Sequence, residues 1–230
     1  MVPAVSEAAC LQLIYAIITG MAESARRPIA ARDTDWARFV AAWLAQRRVA
    51  PNTISVLSLV FSAMAGVCAL VSEAYPWWLL GTAAGIQLRL LCNLFDGMVA
   101  VEGGLRSKTG DVYNDLPDRF ADLLILVPLG YATLAPWGGE LGWAAGAMAV
   151  FTAYVRLLGG ALGLKQDYVG PMAKQQRMAT ATVASLGAIA ESYWHMPRYI
   201  LIAALVLITL GALGAVLRRS SRILRQLAAR

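Results

Sequence analysis

Residues 93–122 read NLFDGMVAVEGGLRSKTGDVYNDLPDRFAD, and the fold turns on how this stretch divides. An apolar helix gives way here to a run of polar groups and then resumes as another apolar helix. Asn93, Asp96, Asn114, Asp115, Asp118 and Asp122 crowd together beside the small residues Gly97, Ala100 and Gly110. An unpaired ionised carboxylate buried at the end of a membrane helix costs a few kcal/mol at least, so such a cluster points to a functional site.

The composition around this stretch sets its surroundings. The 230 residues are 59% hydrophobic and 15% charged, with a mean hydropathy of +0.59, against roughly 25% charged residues in an ordinary soluble domain. That is the make-up of an integral membrane protein, and nothing outside the apolar segments is long enough to form a separate core. The net charge of +6 comes from Arg and Lys beside apolar segments, which fits a membrane surface and not a nucleic acid. Cys10, Cys68 and Cys92 show no metal-ligand spacing, and the sole histidine, His195, falls near Pro197 in a predicted loop. A His-based triad or His-rich metal site therefore has no material.

Along the chain, Ala8 to Gly20 is apolar but shorter than the roughly 20 residues a span requires. No small-residue cleavage pattern follows it, and Met21 offers an alternative start just before Arg26-Arg27-Pro28. From Asp33 to Arg48 the residues Trp36, Phe39, Val40, Trp43 and Leu44 recur at helical spacing, with Asp33 or Thr34 as N-cap, which predicts an interfacial amphipathic helix. Pro51-Asn52 ends it and Thr53 is placed to cap the first span. Six spans follow: Ile54 to Val71, Trp77 to about Asn93, Phe120 to Leu134, Leu141 to Leu164, Met178 to about Trp194, and Tyr199 to Leu217. The fold expected is an all-α integral membrane protein of six transmembrane helices, preceded by the amphipathic helix, with both termini cytoplasmic.

Charge placement supplies that orientation. Arg26, Arg27, Arg32, Arg38, Arg47 and Arg48 precede the first span; Arg106, Lys108 and Arg119 lie between the second and third; Lys165, Lys174 and Arg177 lie between the fourth and fifth. The tail adds Arg218, Arg219, Arg222, Arg225 and Arg230, whereas the opposite loops hold only Arg198 among the cations. The positive-inside rule then turns the polar cluster to the cytoplasm. Two arginines fall within predicted spans. Arg89 lies within snorkelling reach of the interface, whereas Arg156 is expected to face the bundle interior and pair with an acid or a bound phosphate.

At 100° per residue, Asn93, Asp96, Gly97 and Ala100 fall within an arc of about 100°, and Asp111, Asn114, Asp115, Asp118 and Asp122 share a similar arc of the next helix. Facing arcs bring five carboxylates and two amides to one pocket. Like charges at that density need cations, and oxygen-only ligands without His or Cys point to hard ions such as Mg²⁺, Mn²⁺ or Ca²⁺. Gly97, Ala100 and Gly110 leave room for a nucleotide or substrate backbone. Lys174 and Arg177, close together after Pro171, and Arg156 suit an acceptor phosphate or lipid head group.

The segment resembles the signature of the CDP-alcohol phosphotransferase family, D-x-x-D-G-x-x-A-R, eight residues, then G-x-x-x-D-x-x-x-D. Here Asn93, Asp96, Gly97, Ala100 and Val101 are followed, after eight residues, by Gly110, Asn114 and Asp118 at the same spacing. Asn93 and Asn114 stand where the family has metal-binding aspartates, and Val101 replaces its arginine. Each Asn keeps a carbonyl oxygen but removes one negative charge, and Asp115 and Asp122 are placed to supply charge in return. A shifted alignment makes Asp118 and Asp122 the last two acids; it needs four extra loop residues and ranks second.

The resemblance covers roughly residues 30 to 217 and implies attack of an alcohol hydroxyl on the β-phosphorus of a CDP-linked donor such as CDP-diacylglycerol, releasing CMP. It implies Mg²⁺ (or Mn²⁺) held by Asn93, Asp96, Asn114 and Asp118, with Asp118 as ligand or general base and with Gly97, Ala100 and Gly110 making room for cytidine. The domains expected are an N-terminal extension (1–30), the amphipathic helix (31–50), a six-helix membrane catalytic domain (51–217) and a basic cytoplasmic tail (218–230). A bacterial inner membrane is the matching location. A catalytically weakened relative that binds metal and CDP-lipid is the alternative; a cation-coupled transporter is disfavoured because no discontinuous pair of spans is evident. Gly138, Gly139, Gly142, Gly159, Gly160 and Gly163 give the fourth span small surfaces suited to another helix, and hence to a homodimer.

Overall fold

A computed structural model describes residues 34–101, 103–104, 109–168, 170–194 and 196–229. The N-terminal extension, His195 and most of the charged loop after residue 101 lie outside the described residues. The described residues form seven helices, in order α1 Asp35–Gln46, α2 Pro51–Val71, α3 Trp78–Val101, α4 Gly110–Tyr131, α5 Gly138–Ala161, α6 Lys174–Tyr193 and α7 Tyr199–Ala228. No strand occurs among the described residues.

Helix α1 is capped at Thr34 without a side-chain capping bond. It buries Ala37 and Ala41 and leaves Trp36, Phe39 and Trp43 largely exposed, Phe39 at 73%. Small residues make its contact with the bundle, and the aromatic face is turned outward. Trp36 nevertheless meets the Phe95 ring edge-on, at 5.9 Å between centroids. Arg48, at φ 54°, turns the chain into α2. Thr53 is not the cap of that helix: α2 begins at Pro51, with Ala50 extended before it, because the fixed φ of proline is pre-organised for a first helical position.

The larger helices close a ring in which each packs on two neighbours, in the order α2, α3, α6, α7, α5, α4 and back to α2. Its core is alanine-rich, with Ala65, Ala69, Ala145, Ala149, Ala181 and Ala188 around Leu79, Ile86, Ile125, Leu126 and Met178. Small residues let backbones approach closely where apolar burial alone gives helices no preference over lipid. A Cβ at Gly66 of α2 would stand 2.3 Å from the Leu124 carbonyl oxygen of α4, and one at Gly142 of α5 would stand 2.8 Å from that of Val127.

The glycines of α5 are therefore engaged inside the chain. Gly138, Gly139 and Gly142 face α4 or the turn after it, Gly159 faces Ile223 and Gly160 faces Gln166. An added Cβ at any of these five would meet atoms of this same chain.

Among the described residues, four helices are long and apolar enough to cross a membrane: α2, α3, α5 and α7. The other two expected spans, α4 and α6, are helices of 22 and 20 residues but are more polar. The first half of α4 carries the acids, and α6 is rich in Ala, Ser and Thr. Both are members of the ring, so part of each surface faces protein.

At the end remote from the acids, Arg198 is 2% exposed. It donates to the Ser72 hydroxyl (2.7 Å), the Ser72 carbonyl (2.6 Å), the Ala132 carbonyl (2.8 Å) and the Ser192 hydroxyl (3.0 Å). This one guanidinium ties the C-terminal ends of α2 and α4 to the end of α6.

Candidate functional site

The site is built first from α3. The helix runs on to Val101 instead of ending near Asn93, since its polar residues have partners on one face. Arg89, Asn93 and Asp96 follow at intervals of four and three, so they line up on that face. Opposite them, Asp115, Asp118 and Asp122 project from α4. The start of α6 brings Lys174 and Arg177 into the same place, fixed where Gln176 accepts from the Ala173 amide at 3.0 Å.

Asp118 is the meeting point. Its Oδ1 accepts from Asn93 Nδ2 at 3.0 Å and faces Arg89 Nη2 at 3.5 Å. Its Oδ2 accepts from Lys174 Nζ at 2.5 Å and lies 3.6 Å from Arg119 Nη2. The Asn93 contact joins the two halves of the sequence pattern across the gap between α3 and α4.

Asp122, fully buried, is held on both oxygens: Arg89 Nη2 at 2.8 Å on Oδ1 and Arg177 Nη2 at 2.8 Å on Oδ2. Arg89 therefore does not snorkel; it is 0% exposed, since an internal carboxylate offers it a partner at that depth. Arg177 also donates to the Met172 carbonyl at 3.1 Å and the Thr152 hydroxyl at 3.3 Å. Arg156 meets Asp115 at 2.6 Å, as expected of an arginine facing an acid, and also donates to Gln166 (2.9 Å) and Tyr168 (3.3 Å).

Asp96 is placed differently. It is 4% exposed, its Oδ2 accepts from the Ser55 hydroxyl of α2 at 2.7 Å, and its Oδ1 is buried with no hydrogen-bond partner. No ion pair reaches it among the described residues. Asn114 is exposed, Gly97 and Ala100 are half-buried on the helix of Asp96, and Gly110 opens α4. No cluster of three or more His, Cys, Asp or Glu poised to hold a metal occurs among the described residues.

Asn93, Asp96, Asp118, Asp122, Lys174 and Arg177 thus come together, and Asp115 with Arg156 forms a linked pair beside them. The sequence offered Arg89 only as a snorkelling side chain and Arg119 only as a flanking charge, and Ser55 was not singled out. The register of Arg89 with Asn93 and Asp96 was a usable signal; the role of Ser55 depends on how α2 and α3 pack. As a donor set, the unpartnered Asp96 oxygen and the neighbouring amide suit one hard divalent ion, while both Asp122 oxygens are already paired with guanidinium groups.

No family model matches the chain. The Escherichia coli (strain K12) inner membrane protein YnbA is 25% identical over 135 residues, which is 59% of this chain and 66% of that protein. Among solved structures, the phosphatidylinositol phosphate synthase of Mycobacterium tuberculosis with CDP-DAG bound has a TM-score of 0.65 at 17% identity. The match covers 81% of this chain and 92% of the synthase. The same synthase in complex with manganese and citrate also has a TM-score of 0.65 at 17% identity, with 81% and 88% covered. At that identity the likeness is one of fold. The chain has the apolar helices of a membrane protein and a fold similar to that of the synthase.

Proposed function

We propose that this membrane protein is a CDP-alcohol phosphotransferase of phospholipid synthesis, moving a phosphatidyl or phospho-alcohol group from a CDP-linked donor to an alcohol. The observation that carries the reading is the Asn93–Asp118 contact at 3.0 Å. It brings the halves of a spaced signature into one pocket, in a fold similar to that of a synthase solved with CDP-DAG.

In the reaction, Asp118 takes the proton of the acceptor hydroxyl, the oxygen bonds to the β-phosphorus and the bond to CMP breaks. Arg89 and Arg119 hold Asp118 in place. Lys174 and Arg156, partly accessible at the pocket wall, offer donors to phosphate oxygens. Gly97, Ala100 and Gly110 keep the approach to Asp96 narrow in side-chain bulk and so leave room for the nucleotide. A divalent cation, Mg²⁺ or Mn²⁺, would be held by Asp96 and Asn93, with the exposed Asn114 as a further candidate ligand, and would neutralise charge developing on the diphosphate. Six spans, with α1 lying at the interface and the site toward the cytoplasm of an inner membrane, complete the reading. A homodimer is compatible with it but gains no support from the α5 glycines.

The test is CMP release from CDP-diacylglycerol in detergent, with Mg²⁺ or Mn²⁺ and a panel of acceptors. Asp118→Asn is expected to lower turnover by roughly 10²–10⁴-fold, the usual contribution of a positioned proton acceptor. A binding-only relative is the second reading, favoured by the amides at positions 93 and 114 and by the ammonium on Asp118. CMP from no donor, with Mn²⁺ binding retained, would establish it in place of the first.

A further inference from the structure

Resting on the reading above, we propose that Lys174 is a built-in cation occupying part of the metal pocket, so that the chain takes one divalent ion, beside Asp96, and not a pair. Four described carboxylates, Asp96, Asp115, Asp118 and Asp122, share the site with five cations: Arg89, Arg119, Arg156, Lys174 and Arg177. Three of the acids are already in ion pairs. A second divalent ion would add two positive charges to a pocket that holds an excess of cations.

The contacts say which position is taken. The Lys174 ammonium lies 2.5 Å from Asp118 Oδ2, where a cation bound to that oxygen would sit. At Oδ1 the donor is Asn93 Nδ2, which an aspartate at 93 would not supply. Two carboxylates in that contact would repel unless a cation lay between them. The Asn at 93 and the Lys at 174 thus satisfy one need jointly: they neutralise and hydrogen-bond Asp118 without a metal. Asp96 is the exception, with a buried oxygen that no protein donor meets. The expected ion belongs there.

Mn²⁺ titration of the purified protein in detergent, with free Mn²⁺ read by electron paramagnetic resonance, counts the sites directly. The wild type is expected to bind one Mn²⁺ per chain and Asp96→Asn none. The double variant Asn93→Asp/Lys174→Met is expected to bind two, and Asn93→Asp/Lys174→Arg, which keeps the internal cation, one. Circular dichroism melts show that each variant is folded before it is counted. Two ions in the wild type, none in the wild type, or a count of one in the folded Asn93→Asp/Lys174→Met variant overturns the proposal. CMP release separates this from the functional reading: two ions with turnover refutes only the single-ion proposal, and one ion without turnover from any donor refutes only the enzyme.

Discussion

Asp122 has no exposed surface and two guanidinium groups on its two oxygens. Removing one partner from a buried charge cluster leaves the others uncompensated, at a cost of about 3–5 kcal/mol. Asp122→Ala is therefore expected to destabilise the protein by that amount, seen as a lowered melting temperature in detergent. Asp118→Asn, on a residue that is 7% exposed and that keeps an acceptor oxygen at the site, should lower turnover and cost less stability than Asp122→Ala. If both variants melt like the wild type, Asp122 is not the structural acid its contacts describe. The sequence showed the acids and their helical register because those are properties of one chain segment. It did not show that Asp122 belongs to Arg89 and Arg177 while Asp96 is left unpaired. That division is made by Arg177 from α6, Ser55 from α2 and Arg89 one turn before Asn93 on α3, and no spacing within residues 93–122 encodes it.

Helix packing follows from glycine and alanine placed where backbones meet. Gly66 of α2 is the tightest test, since an added Cβ would come within 2.3 Å of the Leu124 carbonyl oxygen and 3.0 Å of the Pro128 ring. Backbone cannot yield as a flexible side chain can, so Gly66→Val is expected to cost about 1–3 kcal/mol. Gly214→Ala, whose new methyl would meet Pro171 Cγ at 3.7 Å, is the control, expected within about 0.5 kcal/mol of wild type. Thermal unfolding of both in detergent measures the difference; equal melting would mean that α2 and α4 do not approach this closely. Hydrophobic periodicity was enough to order the helices, since each apolar segment is bounded by Pro, Gly or charge. It misplaced ends where polarity was mistaken for a break. Helix α3 continues to Val101 because its polar residues face the pocket, and α7 continues through the basic tail to Ala228 because Arg219 and Arg222 find partners in Thr152 and Asp167.

Orientation in the membrane is a property of the whole charge distribution, and the ion pairs change which charges count as evidence for it. Arg89, Arg119, Arg156, Lys174 and Arg177 all contact carboxylates, so within the site they are offset by acids. The remaining asymmetry is still one-sided. Arg38, Arg47, Arg48, Arg218 and Arg225 are exposed around the site end of the bundle, whereas Arg198 at the other end is buried against Ser72, Ala132 and Ser192. Exposed cations resist translocation, so the site end is expected to face the cytoplasm. Cysteine labelling checks this in intact bacterial cells, with Cys10, Cys68 and Cys92 replaced by serine. Trp137→Cys, in the turn between α4 and α5, is expected to react with a membrane-impermeant maleimide from outside. Gln226→Cys, near the end of α7, should react only after the membrane is permeabilised. The reverse pattern would place the pocket on the outer face, away from cytoplasmic CDP-linked donors, and would remove the proposed reaction along with the orientation. Labelling of both positions from outside would show instead that the chain crosses the membrane an even number of times between them, so that α5, α6 and α7 are not all spans.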